Sequence, residues 1–255
     1  MKIQQTSKLL FKRQISLVGW MYLWAIGILI ILPFVLSLLT GTLNNFNWRG
    51  NLQADGVVAI FSFFIFAISA LTYENFKLLI QNGISRRTFF ISQLYVLIAI
   101  AAIGAVANVL YGYLTMPLTG VEKFDTYLNA YGGFFTNDIV SFIANLIFTW
   151  LTTSAIAMTG MAVGSFLSLF SKRLQRLILI AGPIVAFVTL MFVARSIASY
   201  SLSVSWVADF VKFIIGYAKT GPFNPFPFMG ANLIWAVAMA SLSKYFFSKK
   251  QLKRE

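Results

Sequence analysis

One stretch of the chain has the residue types and spacing of a working element: Tyr73-Glu74-Asn75-Phe76-Lys77-Leu78-Leu79-Ile80-Gln81-Asn82-Gly83-Ile84-Ser85-Arg86-Arg87-Thr88-Phe89-Phe90. Phe76, Leu79 and Ile80 form a short apolar stripe at helical spacing, with Glu74, Lys77 and Gln81 around it. Asn82-Gly83 ends this helix, because glycine takes the left-handed cap freely. Ser85 can cap the next helix, and Arg86-Arg87 mark a membrane boundary. The expected unit is a short helix, a sharp turn and a long apolar run. Its chemistry is recognition and not bond-making. A plain connecting loop needs no such helix, whereas a coupling element pressed into a partner does.

Covalent chemistry has little to work with. The chain holds no cysteine and no histidine, which excludes disulfides, thiolate catalysis and Cys/His metal sites. The apolar runs carry no ionisable group at their middles, so an ion-coupled carrier lacks the midplane carboxylate it needs. No filter-like motif suggests a channel. No Gly-x-x-x-x-Gly-Lys-Ser/Thr stretch occurs, so the chain is not expected to bind ATP in the usual way. No catalytic residue, metal or cofactor is assigned to it, and it is not expected to be an enzyme.

The elements that position the 73–90 stretch follow from composition. The chain has 255 residues, 59% of them hydrophobic and 11% charged, with mean hydropathy +0.80. That much apolar surface requires a bilayer. The net charge of +13 does not point to nucleic acid, because the basic residues flank apolar runs instead of forming one face. Six spans are expected near 18–39, 56–73, 90–116, 139–169, 177–195 and 226–247, in one domain covering 1–255. Fifteen of the 20 lysines and arginines fall on one side of these spans; the other five are Arg49, Lys123, Arg195, Lys212 and Lys219. The positive-inside rule then places both termini in the cytoplasm. Met1-Lys2-Ile3-Gln4-Gln5 is too polar for a signal peptide, so the first span is expected to stay. Within residues 1–17, Ile3, Leu10, Phe11, Gln14 and Leu17 make a stripe, and Lys8, Lys12 and Arg13 a basic face. This segment, 1–17, is expected to be a helix lying in the interface, a basic anchor that sets topology, or both at once.

Polar residues within the spans have two readings. Ser141, Asn145, Thr149, Thr152 and Thr153 run along one face of the fourth span, with Asn108 in the third and Asn232 in the sixth. They either line a translocation path or bond neighbouring helices, at about 0.6–2 kcal/mol per contact. Trp150 and Trp235 fall mid-span, where packing against neighbours is expected. Gly160 and Gly164 permit close helix approach. The fourth span, roughly 45 Å long as one helix, must tilt, break near Gly160 or project. After the fifth span, Trp206, Phe210, Phe213, Ile214 and Tyr217 line one face of an amphipathic helix of about four turns, expected to end at Gly221-Pro222. Asp209, Lys212 and Gly216 lie opposite.

Taken together, the basic N-terminal helix, the six spans and the Glu-Asn-Phe-Lys to Gln-Asn-Gly-Ile-Ser-Arg-Arg-Thr-Phe-Phe loop resemble permease subunits of the ABC type-2 exporter superfamily, which share the ABCG-like membrane fold. The likeness is greatest to small permeases of Gram-positive bacteria and covers nearly the whole chain. It implies an all-α membrane protein of the bacterial plasma membrane, N-in and C-in, paired with a second permease, the same or a sister chain. A separate cytosolic ABC ATPase would bind ATP and Mg. By the resemblance, Glu74, Asn75, Phe76, Lys77, Gln81, Gly83, Arg86 and Arg87 contact that ATPase. The resemblance also implies that spans two and five line the path and that the helix of Trp206, Phe210, Phe213 and Tyr217 gates the exit; Asn108, Asn145, Thr149 and Thr152, in spans three and four, are the candidate polar face read from the residues themselves. The expected cargo is a peptide, lipid-like molecule or drug, with bacteriocin immunity as one setting. The alternative is a non-transporting polytopic membrane protein acting as sensor or assembly partner.

Overall fold

A computed structural model describes residues 2–43, 46–47, 52, 54–120, 125–199 and 205–249. Trp48, Arg49, Glu122, Lys123, Lys250, Lys253 and Arg254 lie outside the described residues. The described elements are helices: α1 (Lys2–Ile26), a π-helical turn (Gly27–Ile31), α2 (Leu32–Leu39), α3 (Ala54–Ala70), α4 (Thr72–Gln81), α5 (Arg86–Thr119), α6 (Thr126–Tyr131), α7 (Asp138–Leu167), α8 (Lys172–Ser199), α9 (Ser205–Ile215) and α10 (Pro225–Lys249). No strand occurs among the described residues.

Five helical stretches are long and apolar enough to cross a membrane: Lys2–Leu39, Gly56–Gln81, Arg86–Thr119, Asp138–Leu167 and Pro225–Lys249. The expected span at 177–195 lies inside α8, a helix of 28 residues. The first stretch runs unbroken for 38 residues, about 57 Å at 1.5 Å per residue. The boundary expected at residue 17 therefore falls inside one helix, and no separate helix covers 1–17. Such a length exceeds a hydrocarbon core of about 30 Å, so it must tilt or extend beyond it. α7 continues through Gly160 without a break.

Helix ends follow their local chemistry. Asn137 Oδ1 accepts from the Ile139 and Val140 amides at the start of α7. Asp125 accepts from the Leu128 amide at 2.7 Å and starts α6, a short helix the hydrophobic pattern does not reveal. Gly120, at φ 69°, closes α5.

α7 is the central helix and packs against α3, α5 and α10, while α1 packs on α5 and α3. Gly160 and Gly164 make one of these contacts possible. A Cβ on either would run into the backbone carbonyls of Phe66 and Ala70 in α3. Trp150 Nε1 donates to the Ile98 carbonyl of α5 at 3.2 Å, and Trp235 Nε1 to Thr159 Oγ1 of α7 at 2.9 Å. Both mid-span tryptophans thus tie helices together. The larger core cluster gathers Leu10, Met21, Phe61, Phe76, Phe89, Leu97, Met158 and Phe247. A smaller one gathers Tyr127, Tyr131, Ala144, Phe148 and Met229.

Candidate docking site

α4 is separated from α3 by a turn at Leu71 and is held from three directions. Its apolar stripe points inward, as Phe76 is fully buried and Leu79 nearly so. The Phe76 ring lies 5.2 Å from Phe89 of α5 and 5.0 Å from Phe247 of α10, and those two rings are 5.5 Å apart. Edge-to-face and tilted contacts at these separations add to the area buried. Arg13 of α1 donates from Nη1 to Asn75 Oδ1 at 2.7 Å. Arg86 donates from Nη1 to the Ser248 carbonyl at 2.7 Å, joining the start of α5 to the end of α10.

The end of α4 has the bond pattern of a Schellman cap. The Gly83 amide donates to the Ile80 carbonyl and the Ile84 amide to the Leu79 carbonyl, both at 3.0 Å, with Gly83 at φ 77°. Only glycine adopts that angle without cost. Asn82 Nδ2 donates to the Leu78 carbonyl at 2.8 Å. Ser85 Oγ then accepts from the Thr88 amide at 3.1 Å and starts α5. The turn expected from Asn82-Gly83-Ile84-Ser85 is present residue for residue.

This geometry divides the eight candidate coupling residues. Glu74, Gln81, Gly83 and Arg87 are exposed, and Lys77 is half-buried. Phe76 anchors α4 in the core, so it has no surface to offer a partner. Asn75 and Arg86 spend hydrogen bonds on α1 and α10. The outward row of α4 is instead Glu74, Lys77, Leu78 and Gln81, spaced i, i+3, i+4, i+7. Leu78, 48% exposed, was not singled out by sequence reasoning. Its position on the face opposite Phe76 was the available signal. Glu74 sits in the first turn of α4, where the helix dipole favours a carboxylate.

The polar residues of the spans are not brought to one place. Asn108 Oδ1 accepts from Tyr22 at 3.0 Å in the interface of α1 and α5. Asn145 donates to Asp125 Oδ2 at 2.7 Å and accepts from Thr149 at 3.2 Å. Thr152 accepts from Asn232 of α10 at 3.3 Å. Thr153 bonds carbonyls of its own helix and of Ala101. These side chains connect helices, loops and backbone.

The candidate gate helix is shorter than expected. α9 spans 11 residues and ends at Gly216, φ 70°, with the Tyr217 amide bonding the Lys212 carbonyl at 2.8 Å. The end expected at Gly221-Pro222 is therefore corrected: Gly216 already supplies the left-handed residue a helix end needs. Tyr217 lies past the helix, its ring 5.2 Å from Phe223. Trp206, Phe210, Phe213 and Tyr217 are all exposed, while Asp209 and Lys212 pair at 3.6 Å. The Asn224 amide and the Tyr131 hydroxyl bond the carbonyls of Gly216 and Ile215 at 2.8 and 3.1 Å, fixing where α9 ends. Burial raises the phenol pKa of Tyr127 and of Tyr131 in the smaller core cluster.

Among the described residues no three His, Cys, Asp or Glu side chains come together to hold a metal. Comparison with known proteins finds no match: no family model, no curated protein and no solved structure is significantly similar to this chain.

Proposed function

We propose that the chain is the membrane-spanning permease subunit of an ATP-driven ABC exporter, with six spans and both termini in the cytoplasm of a bacterial plasma membrane. The observation that carries this reading is α4. It is a helix between two spans, locked inward by Phe76 and presenting Glu74, Lys77, Leu78 and Gln81 outward. A rigid foot of this kind transmits a push from a separate protein to α5 and α10 together. Two cytosolic ATPase subunits, holding ATP and Mg, supply that push, and a second permease completes the path. α8 contributes the further crossing, which brings the charge asymmetry of the loops onto one side. α9 closes the outer exit. The lack of ionisable groups at the span middles suits an amphiphilic or hydrophobic cargo, such as a peptide, lipid-like molecule or drug; bacteriocin immunity is one setting.

A second reading, a non-transporting sensor or assembly partner, draws on a specific observation. Asn145, Thr152 and Asn108 are engaged in bonds between elements, as in a bundle with no path to line. Purification from the native membrane separates the two. The permease reading expects an ATPase to co-purify and to be lost in Glu74→Arg. Purification with no ATPase, or transport by the chain alone in liposomes without ATP, would sink it.

A further inference from the structure

Residues of α1 and α5 leave an open groove of about 350 Å³ between them. Gln4, Ser7 and Lys8 form its polar edge, and Phe11, Tyr95, Val96 and Ala99 its apolar wall. Three observations define what fits. First, the edge is cationic: Lys8 is the charged residue of the lining, and α1, which carries it, holds four basic residues and no acidic one. Second, Ser7 Oγ is shut off from solvent, so the polar groups the edge offers to a ligand are those of Gln4 and Lys8, both exposed. Third, Tyr95 is 62% exposed and lies nine residues into α5 from Arg86. That is roughly 13 Å along the axis, deeper than a headgroup layer of about 5–8 Å, so the ring is placed beside an acyl chain.

We propose that this groove seats one anionic phospholipid. The phosphate lies against Lys8, with Gln4 as a further donor. An acyl chain follows Phe11, Val96 and Ala99, and the Tyr95 ring covers its upper part. A soluble anion would leave the apolar wall in water, and a zwitterionic lipid would leave the lysine excess unmatched. The site requires a membrane protein but no ATPase, so it stands or falls independently of the exporter reading.

Native mass spectrometry of the full chain tests it, after exchange into phosphatidylglycerol or phosphatidylcholine of identical acyl chains. Wild type is expected to retain one phosphatidylglycerol and to prefer it over phosphatidylcholine. Lys8→Gln alters an exposed residue and should lower retention about fivefold, the factor for one lysine at an anionic surface, and Lys8→Glu, which reverses the charge, should lower it further. Ala99→Phe fills the groove without changing charge and should lower it similarly. Lys12→Glu, outside the groove, is the control for diffuse attraction. Equal loss in Lys12→Glu, undiminished binding in Ala99→Phe or the Lys8 variants, or equal retention of phosphatidylcholine would overturn the proposal.

Discussion

The Arg13 guanidinium donates to Asn75 Oδ1 at 2.7 Å across 62 residues of sequence. Through this bond the N-terminal helix holds the exposed side of α4, while Phe76 holds the buried side. The pair is exposed, so its coupling is expected at the low end for a hydrogen bond, of order 0.5 kcal/mol. A double-mutant cycle with Arg13→Ala and Asn75→Ala reads it. Each single variant should speed amide exchange of residues 72–81 and leave α7 unaffected. Unchanged exchange in α4 would show that the bond does not hold the helix.

Phe76 and Glu74 are expected to behave oppositely. Phe76→Ala removes a fully buried ring and should cost about 3–5 kcal/mol, seen as a lower midpoint of thermal unfolding in detergent. Glu74→Arg changes an exposed residue and should leave that midpoint nearly unchanged. If Phe76→Ala melted like wild type, the three-ring contact would not be what seats α4.

The close approach of α7 to α3 makes a sharper test. Gly164→Ala places a Cβ onto the Ala70 carbonyl and should destabilise by about 1–3 kcal/mol. Gly182→Ala, in α8, meets nothing within 4 Å. It should be neutral or slightly stabilising, by about 0.5–1 kcal/mol. The two midpoints, measured side by side, carry the prediction; equal effects would deny the backbone contact.

How far the sequence could be read differs between these sites. The α4 turn was legible because Asn82, Gly83 and Ser85 act through local backbone chemistry that needs no partner helix. The extent of α1 was not. Nothing between Leu17 and Val18 breaks a helix, and the polar-to-apolar change there marks a difference in surroundings, not in backbone. The inward facing of Phe76 was hidden for a related reason. An apolar stripe fits a partner's groove and its own protein's core equally well, and Phe247, which settles it, lies far along the chain. The polar strip of α7 stays open in sequence between path lining and interhelical bonding for the same reason, because its partners Asp125, Asn232 and Ala101 come from other elements. Gly216 was visible in sequence, but Gly221-Pro222 was the more conspicuous end signal.

Alkaline pH should loosen the smaller core cluster. Burial favours the neutral phenols of Tyr127 and Tyr131, so their folded pKa values lie above the ordinary value of 10.0. A raised folded pKa contributes stability present below pH 10 and lost as pH rises through the folded value. Phenolate absorbance should therefore show late-titrating tyrosines, with unfolding as they ionise. Tyr131→Phe also removes the bond to the Ile215 carbonyl and should cost about 1 kcal/mol.

Phe247 belongs to the last helix, yet it forms one wall of the seat for α4. During synthesis, residues 72–81 emerge long before that wall exists. The seat for α4 is therefore complete only after residue 247 has been made, and a product terminated before it would present a loosely seated helix. Any protein that engages α4 only when it is seated would then also read whether synthesis had passed Phe247.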